Sequence, residues 1–85
     1  MDGAALKARI FARTAELAGV PPESVVPETT LEAVGLDSSD AVILALEAEE
    51  HVGVEVDVGI FLRFATLGEA VDELVATLEK DAAGG

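Results

Sequence analysis

Apolar residues recur at helical spacing in three long stretches of the chain. Over residues 3–18, Leu6, Ile10, Thr14/Ala15 and Leu17 fall on one side, with Lys7, Arg9, Arg13 and Glu16 between them. Gly19 supplies a stop, and Pro21-Pro22 keeps the helix from resuming. A second helix begins at Asp37 and runs to about Val52, with Gly53 behind it. Thr66-Leu67-Gly68-Glu69 has Thr and Glu three apart, a capping box that opens a last helix to about Lys80. Its core stripe is Leu67, Val71, Leu74, Val75 and Leu78. Residues 58–64 read as a short helix offering Ile60, Phe61 and Phe64.

Between the first two helices lies a long connector, residues 19–37, with Pro27, Thr29, Thr30 and Gly35. It also holds Val25, Val26, Leu31, Val34 and Leu36, so it is expected to lie down on the core, with 31–34 as a turn of helix at most. Val54, Val56 and Val58 alternate with acids, a weak strand signal without a partner nearby. Residues 81–85 read as a flexible tail after a core of 3–80. The expected fold is all-α: a small four-helix bundle of three longer helices and one short one, up-down with a long first loop. Eighty-five residues fit a single domain.

Composition narrows the function. The chain is 51% hydrophobic, enough for a core, but only 4% aromatic, so Ala, Val and Leu must pack it. Seventeen acids against five bases give a net charge of −12. Nucleic acid is therefore not an expected partner, since phosphate binding needs Lys and Arg to replace counterions. Anionic membrane surfaces are disfavoured for the same reason, and basic proteins are favoured. No Cys is present, which removes disulfides, thiolate metal sites and a thiol nucleophile. The longest apolar run, Ala41 to Leu46, is far too short for a membrane span, and Met1-Asp2-Gly3 shows no signal peptide. A cytoplasmic domain is expected.

Catalysis has little to work with. His51 is the sole histidine, and with both on the second helix Ser38 lies roughly 20 Å from it at 1.5 Å per residue. A Ser–His dyad needs hydrogen-bond contact, so none forms within a chain. His51 is expected to be a solvated residue at a helix C-terminus. Asp37-x-x-Asp40 and Glu55-x-Asp57 do not fit a calcium loop, and no metal site is expected. One arrangement stands out: Gly35-Leu36-Asp37-Ser38-Ser39-Asp40. Asp37 caps the second helix, Asp40 suits its first turn, and the Ser38 hydroxyl is left at a loop–helix junction. A phosphate ester there would meet the positive end of the helix dipole and free backbone N–H groups. Taken alone, Ser at a helix start is most often only a cap.

The surroundings of that serine add to the picture. Thr29-Thr30-Leu31, then Gly35-Leu36-Asp37-Ser38, an acidic helix ending Glu49-Glu50, Val54-Glu55-Val56, and Thr66-Leu67-Gly68-Glu69-Ala70-Val71 together resemble an acyl carrier protein. The resemblance covers residues 3–80. It implies a covalent 4′-phosphopantetheine arm on Ser38, next to Asp37, attached from coenzyme A by a phosphopantetheinyl transferase that itself holds the magnesium. It implies acyl groups riding as thioesters on the arm, and a carrier that delivers and does not catalyse. The absence of Cys leaves the arm's thiol without a competitor.

At about 100° per residue, Ser38, Val42, Leu46 and Glu49 share a stripe, flanked by Ser39, Ile43 and Glu50. Ala41, Leu44, Ala45, Ala48 and Val52 form a separate stripe assigned to the core. Bulk alone would bury Ile43 and Leu46, but the resemblance places Val42 and Leu46 beside the arm, touching partner enzymes. The implied partner-binding set is Ser39, Asp40, Val42, Ile43, Leu46, Glu49 and Glu50. The implied partners are the transferase, an acyl-loading enzyme, and a ketosynthase or other acyl-processing enzymes with basic docking patches, meeting a monomeric carrier. Solvent-facing acids there would steer such patches.

Three positions depart from the family pattern. Ser39 stands where Leu or Ile usually follows the serine, Ile43 where an acid is common, and Asp57 where Pro often follows the Val-Glu-Val segment. Together they suggest a dedicated pathway, polyketide or otherwise specialised, over housekeeping fatty acid synthesis. A peptidyl carrier loaded with an amino acid is the nearest rival, disfavoured by Gly-Leu-Asp-Ser and the −12 charge. An acidic helical adaptor in which Ser38 only caps its helix is the rival of another class.

Overall fold

A computed structural model describes the backbone of residues 2–84 and the side chains of residues 2–80. Four helices follow in order: α1 Gly3–Ala18, α2 Ser38–Val52, α3 Ile60–Arg63 and α4 Leu67–Gly84. The expected all-α bundle of three long helices and a short one is what the chain forms. α1 packs on α2 and α4, and α3 bridges α2 and α4. Among the described residues there is no strand, and no helix is long and apolar enough to cross a membrane.

Local chemistry sets the helix ends. Asp2 caps α1 by accepting the N–H groups of Ala4 and Ala5 at 3.1 and 3.2 Å. Gly19 closes α1 at φ 69°, while the N–H groups of Gly19 and Val20 reach back to the carbonyls of Glu16 and Ala15. Gly53 ends α2 in the same left-handed conformation. Thr66 and Glu69 form the expected capping box: the Thr66 hydroxyl accepts the Glu69 N–H and Glu69 accepts the N–H of Thr66, both at 3.2 Å. α4 runs to Gly84, past Lys80, because Asp81-Ala82-Ala83 contains no helix breaker. The tail expected at 81–85 is thus helical backbone through Gly84, and Gly85 lies outside the described residues.

The core gathers Leu6 and Ile10 from α1, Leu44 from α2, Phe61 from α3, and Val71 and Leu74 from α4. Each such side chain contributes about 1.5–3 kcal/mol by leaving water. Ala41, Ala45 and Ala48 are fully buried, and their small side chains let neighbouring helices approach closely. Thr14 is buried without an unpaired group, since its hydroxyl donates to the Ile10 carbonyl at 2.8 Å. Val52 and Val75 pack against this cluster while only partly buried.

Most of the connector does lie on the core. Val25 and Leu36 are buried and Leu31 packs against the cluster. Val26 does not: it is 43% exposed, because Val25 takes the inward direction and the next extended residue points the other way. Pro22–Ser24 forms a 3-10 turn, to which Pro22 contributes no needed N–H, and Glu32–Val34 forms the expected second turn. Two backbone bonds staple the connector to the start of α4: Leu67 N–H to the Thr29 carbonyl at 2.8 Å and Gly68 N–H to that of Pro27 at 2.9 Å. The alternating valines form no strand; Val56 turns inward while Val54 and Val58 stay exposed.

Candidate functional site at the start of α2

Ser38 is the first residue of α2, and everything before it fixes where it points. The 3-10 turn closes through Gly35 at φ 79°, and Leu36 N–H bonds the Leu31 carbonyl at 2.9 Å, pinning the buried Leu36. Asp37 then caps α2, accepting the N–H groups of Ser39 at 3.0 Å and Asp40 at 3.3 Å. Asp40 returns the bond, its carboxylate accepting the Asp37 N–H at 3.0 Å. Of the amides expected to be free for a phosphate, those of Ser39 and Asp40 are therefore already taken by the chain's own carboxylate. The reason is competition: a cap residue one peptide away outcompetes any diffusible anion for the same donors.

The Ser38 side chain is exposed, and among the described residues none holds its hydroxyl by a hydrogen bond. It opens onto a groove of about 440 Å³ whose lining mixes Thr30, Glu32 and Thr66 with Leu36, Phe61 and Leu67. A free primary hydroxyl, exposed at the edge of a groove of mixed polar and apolar lining, is open to esterification. His51, the sole histidine, sits at the far end of α2 and does not approach Ser38. His51 is half-buried in the last turn and not the solvated residue expected, because residues three and four before it, Ala48 and Glu47, also turn toward neighbouring elements.

Along α2 the two stripes separate as expected on the inner side. Ala41, Leu44, Ala45 and Ala48 are buried, whereas Val42 and Leu46 are 40% and 50% exposed. Ile43 is half-buried and Ser39 and Glu50 are exposed. Asp40 and Glu49 are not simply solvent-facing. Asp40 closes the capping box, and Glu49 accepts the backbone N–H of Val56 at 3.0 Å across seven residues. Each is half-buried because it serves a backbone donor.

Two ionic arrangements escaped the periodicity of the sequence. Glu47 pairs with Arg9 and lies 3.5 Å from the Arg13 Nε, tying α1 to α2. Asp57 accepts the Arg63 guanidinium at 2.5 Å and the Gly59 N–H at 2.9 Å, bracketing α3. The Arg63 hydrogen bond first, then that of Gly59, holds the Asp57 carboxyl below its ordinary value of 3.8. Asp57-x-Gly59 is a turn signal that the sequence does carry.

Residues 8–74 match the family described as the phosphopantetheine attachment site. The chain belongs to that family. It is a carrier protein that holds a covalently attached 4′-phosphopantetheine, which when bound supplies a thiol for thioester chemistry. Such domains are generally non-catalytic, and membership implies dealings with a phosphopantetheinyl transferase and acyl-processing enzymes in general. Comparisons with curated proteins and with solved structures found no match.

Proposed function

We propose that the chain is an acyl carrier of a specialised biosynthetic pathway, polyketide-like in its chemistry, with the arm on Ser38. The observation that carries this reading is the placement of Ser38: an exposed, unbonded hydroxyl as the first residue of α2, directly after the cap and at the mouth of a groove. Ser39 shares the turn but lies about 100° further round the helix. Asp37 holds the turn through the amides of Ser39 and Asp40 and puts an acid immediately before Ser38 in the chain.

Val42, Leu46 and Glu50, with Ser39 and Ile43 at the flank, form the face that partner enzymes touch. Exposed apolar side chains ringed by acids support docking to a partner that presents apolar contacts within a basic rim. Asp40 and Glu49 belong to this neighbourhood through the bonds they hold. The net charge of −12 supports acyl over aminoacyl cargo, and Ser39, Ile43 and Asp57 support a dedicated pathway. The chain acts in the cytoplasm as a monomer, meeting its transferase, a loading enzyme and a ketosynthase or similar enzyme in turn.

Intact mass after incubation with a broad-specificity phosphopantetheinyl transferase tests the reading. Coenzyme A should add one arm and acyl-coenzyme A one acylated arm. No mass gain would leave Ser38 as only an exposed first-turn residue, the cap itself being Asp37 and not the serine. Loading by an adenylating enzyme from amino acid and ATP, but by no acyl transferase, would make the cargo aminoacyl.

A further inference from the structure

Glu49 is the acid on α2 whose carboxylate is committed to backbone outside its own helix. Its Oε1 accepts the N–H of Val56 at 3.0 Å. Val56 is only 4% exposed, so its amide has little water to turn to and the carboxylate supplies the missing acceptor. Between the two residues, Gly53 reverses the chain at φ 75°, and Val54 and Glu55 are thrown outward. Leu46, Glu49, Glu50, Val54 and Glu55 then line one open surface groove.

We propose that Glu49 is a positioning residue: it builds the half of the docking surface contributed by the α2–α3 loop, and its charge is secondary. The proposal rests on the reading of α2 as the face that meets partner enzymes. Val56 anchors the loop from inside, Glu49 fixes its backbone, and Val54 and Glu55 are thereby held beside Leu46 and Glu50. A partner then meets a prearranged surface and does not have to order the loop on binding, which would weaken the encounter complex.

Charge and reach can be separated by two conservative variants. Glu49→Gln removes the charge and keeps an acceptor oxygen at the same length. Glu49→Asp keeps the charge and shortens the side chain by one methylene, out of reach of the Val56 amide. Neither change threatens the core, since Glu49 contributes no apolar packing there. The first readout is amide hydrogen exchange at Val56 in the unmodified protein. Glu49→Asp should speed it about tenfold or more, the effect of losing one hydrogen bond to a charged acceptor, and Glu49→Gln should speed it less. The second is the KM of a phosphopantetheinyl transferase for each variant, with Glu50→Gln alongside. Glu49→Asp should raise KM more than Glu49→Gln does, while Glu50→Gln should raise KM and flatten its dependence on salt.

The reverse order, with Glu49→Gln the more damaged in KM and Glu49→Asp spared, would make Glu49 a docking charge and overturn the proposal. Unchanged Val56 exchange in Glu49→Asp would overturn it as well. Failure of the unsubstituted protein to accept any arm would instead remove the carrier reading. The exchange measurement stands apart from that outcome, because it needs no partner.

Discussion

Asp37 and Asp40 hold each other's backbone. The carboxylate of Asp37 accepts the Asp40 N–H at 3.3 Å, and that of Asp40 accepts the Asp37 N–H at 3.0 Å. Two acids thus flank the turn that presents Ser38, and both spend their oxygens on keeping it rigid. The Ser38 hydroxyl, first in the helix, takes no part in these bonds and stays exposed.

A direct consequence concerns modification. Ser38→Ala should remain folded and take no arm, while Ser39→Ala should still be modified. Intact mass of each variant after transferase treatment, with circular dichroism for the fold, checks both. An arm found on Ser38→Ala would remove the assignment.

Removing the cap separates stability from recognition. Asp37→Ala should cost about 1 kcal/mol by freeing the amides of Ser39 and Asp40. For a domain of this size that lowers Tm by about 4–8 °C. Asp37→Asn caps nearly as well, so its Tm should stay close to that of the unsubstituted chain. Its rate of arm attachment should nevertheless fall, since the carboxylate beside Ser38 is gone. Equal Tm for all three proteins would show that the reciprocal bonds contribute nothing.

Much of this was legible along the chain. Gly19 and Gly53 end helices, Thr66 and Glu69 cap one, and Ala41, Leu44, Ala45 and Ala48 are buried, because caps and helical periodicity are local properties. What stayed hidden joins residues by long side chains or by loop docking. Glu49 reaches seven residues forward to Val56, Glu47 reaches back to α1, and Gly68 is pressed against Pro27. A stripe drawn at 100° per residue shows which way Glu49 leaves the helix but not where its chain folds back to meet it. Docking acids and structural acids look alike until the backbone donors are placed.

Gly68 tests the docking of the connector. A Cβ built there would lie 2.8 Å from the Pro27 Cβ and 2.9 Å from its carbonyl oxygen, and part of that obstacle is backbone. Gly68→Ala gains helix propensity, about 1 kcal/mol, but must push the connector away and strain the bonds at Thr29 and Pro27. The clash should win, with a net loss of about 1–3 kcal/mol in denaturant unfolding. A stabilised Gly68→Ala would mean that the connector yields freely.

The ion pair at α3 gives a pH dependence. Asp57 has a folded pKa below its ordinary value of 3.8, owing first to the Arg63 hydrogen bond and then to the Gly59 N–H. A depressed carboxylate contributes stability in full above its unfolded pKa and loses it as pH falls through the folded value. The contribution should therefore be intact at neutral pH and fade below the ordinary carboxylate range. Thermal melts of Asp57→Asn and the unsubstituted protein should differ near pH 7 and converge as pH drops below about 3.8. A constant difference across that window would show that the charge is not what holds α3.

Charge and size together set the response to salt. A net charge of −12 gathered on a compact body, with a radius of gyration of 12.0 Å, repels itself more than the same charge along an unfolded chain. Attraction offsets only part of this: Arg9, Arg13 and Arg63 are already bound to Glu47, Glu16 and Asp57, and the exposed pairs Arg13–Glu16 and Arg63–Asp57 are weakened by solvent and salt. The total available is typically about 5–15 kcal/mol for a domain. Added sodium chloride screens repulsion over a Debye length of about 10 Å at 0.1 M, shrinking to about 3 Å at 1 M. Tm should therefore rise from very low to moderate salt, and Glu50→Gln, which removes an exposed acid that holds no backbone donor, should raise Tm at low salt while slowing partner encounter. The measurement is a series of melts by circular dichroism, with transferase rates on the same samples. A Tm that stays flat or falls as salt is added would mean that the arginine pairs outweigh the repulsion of the remaining acids.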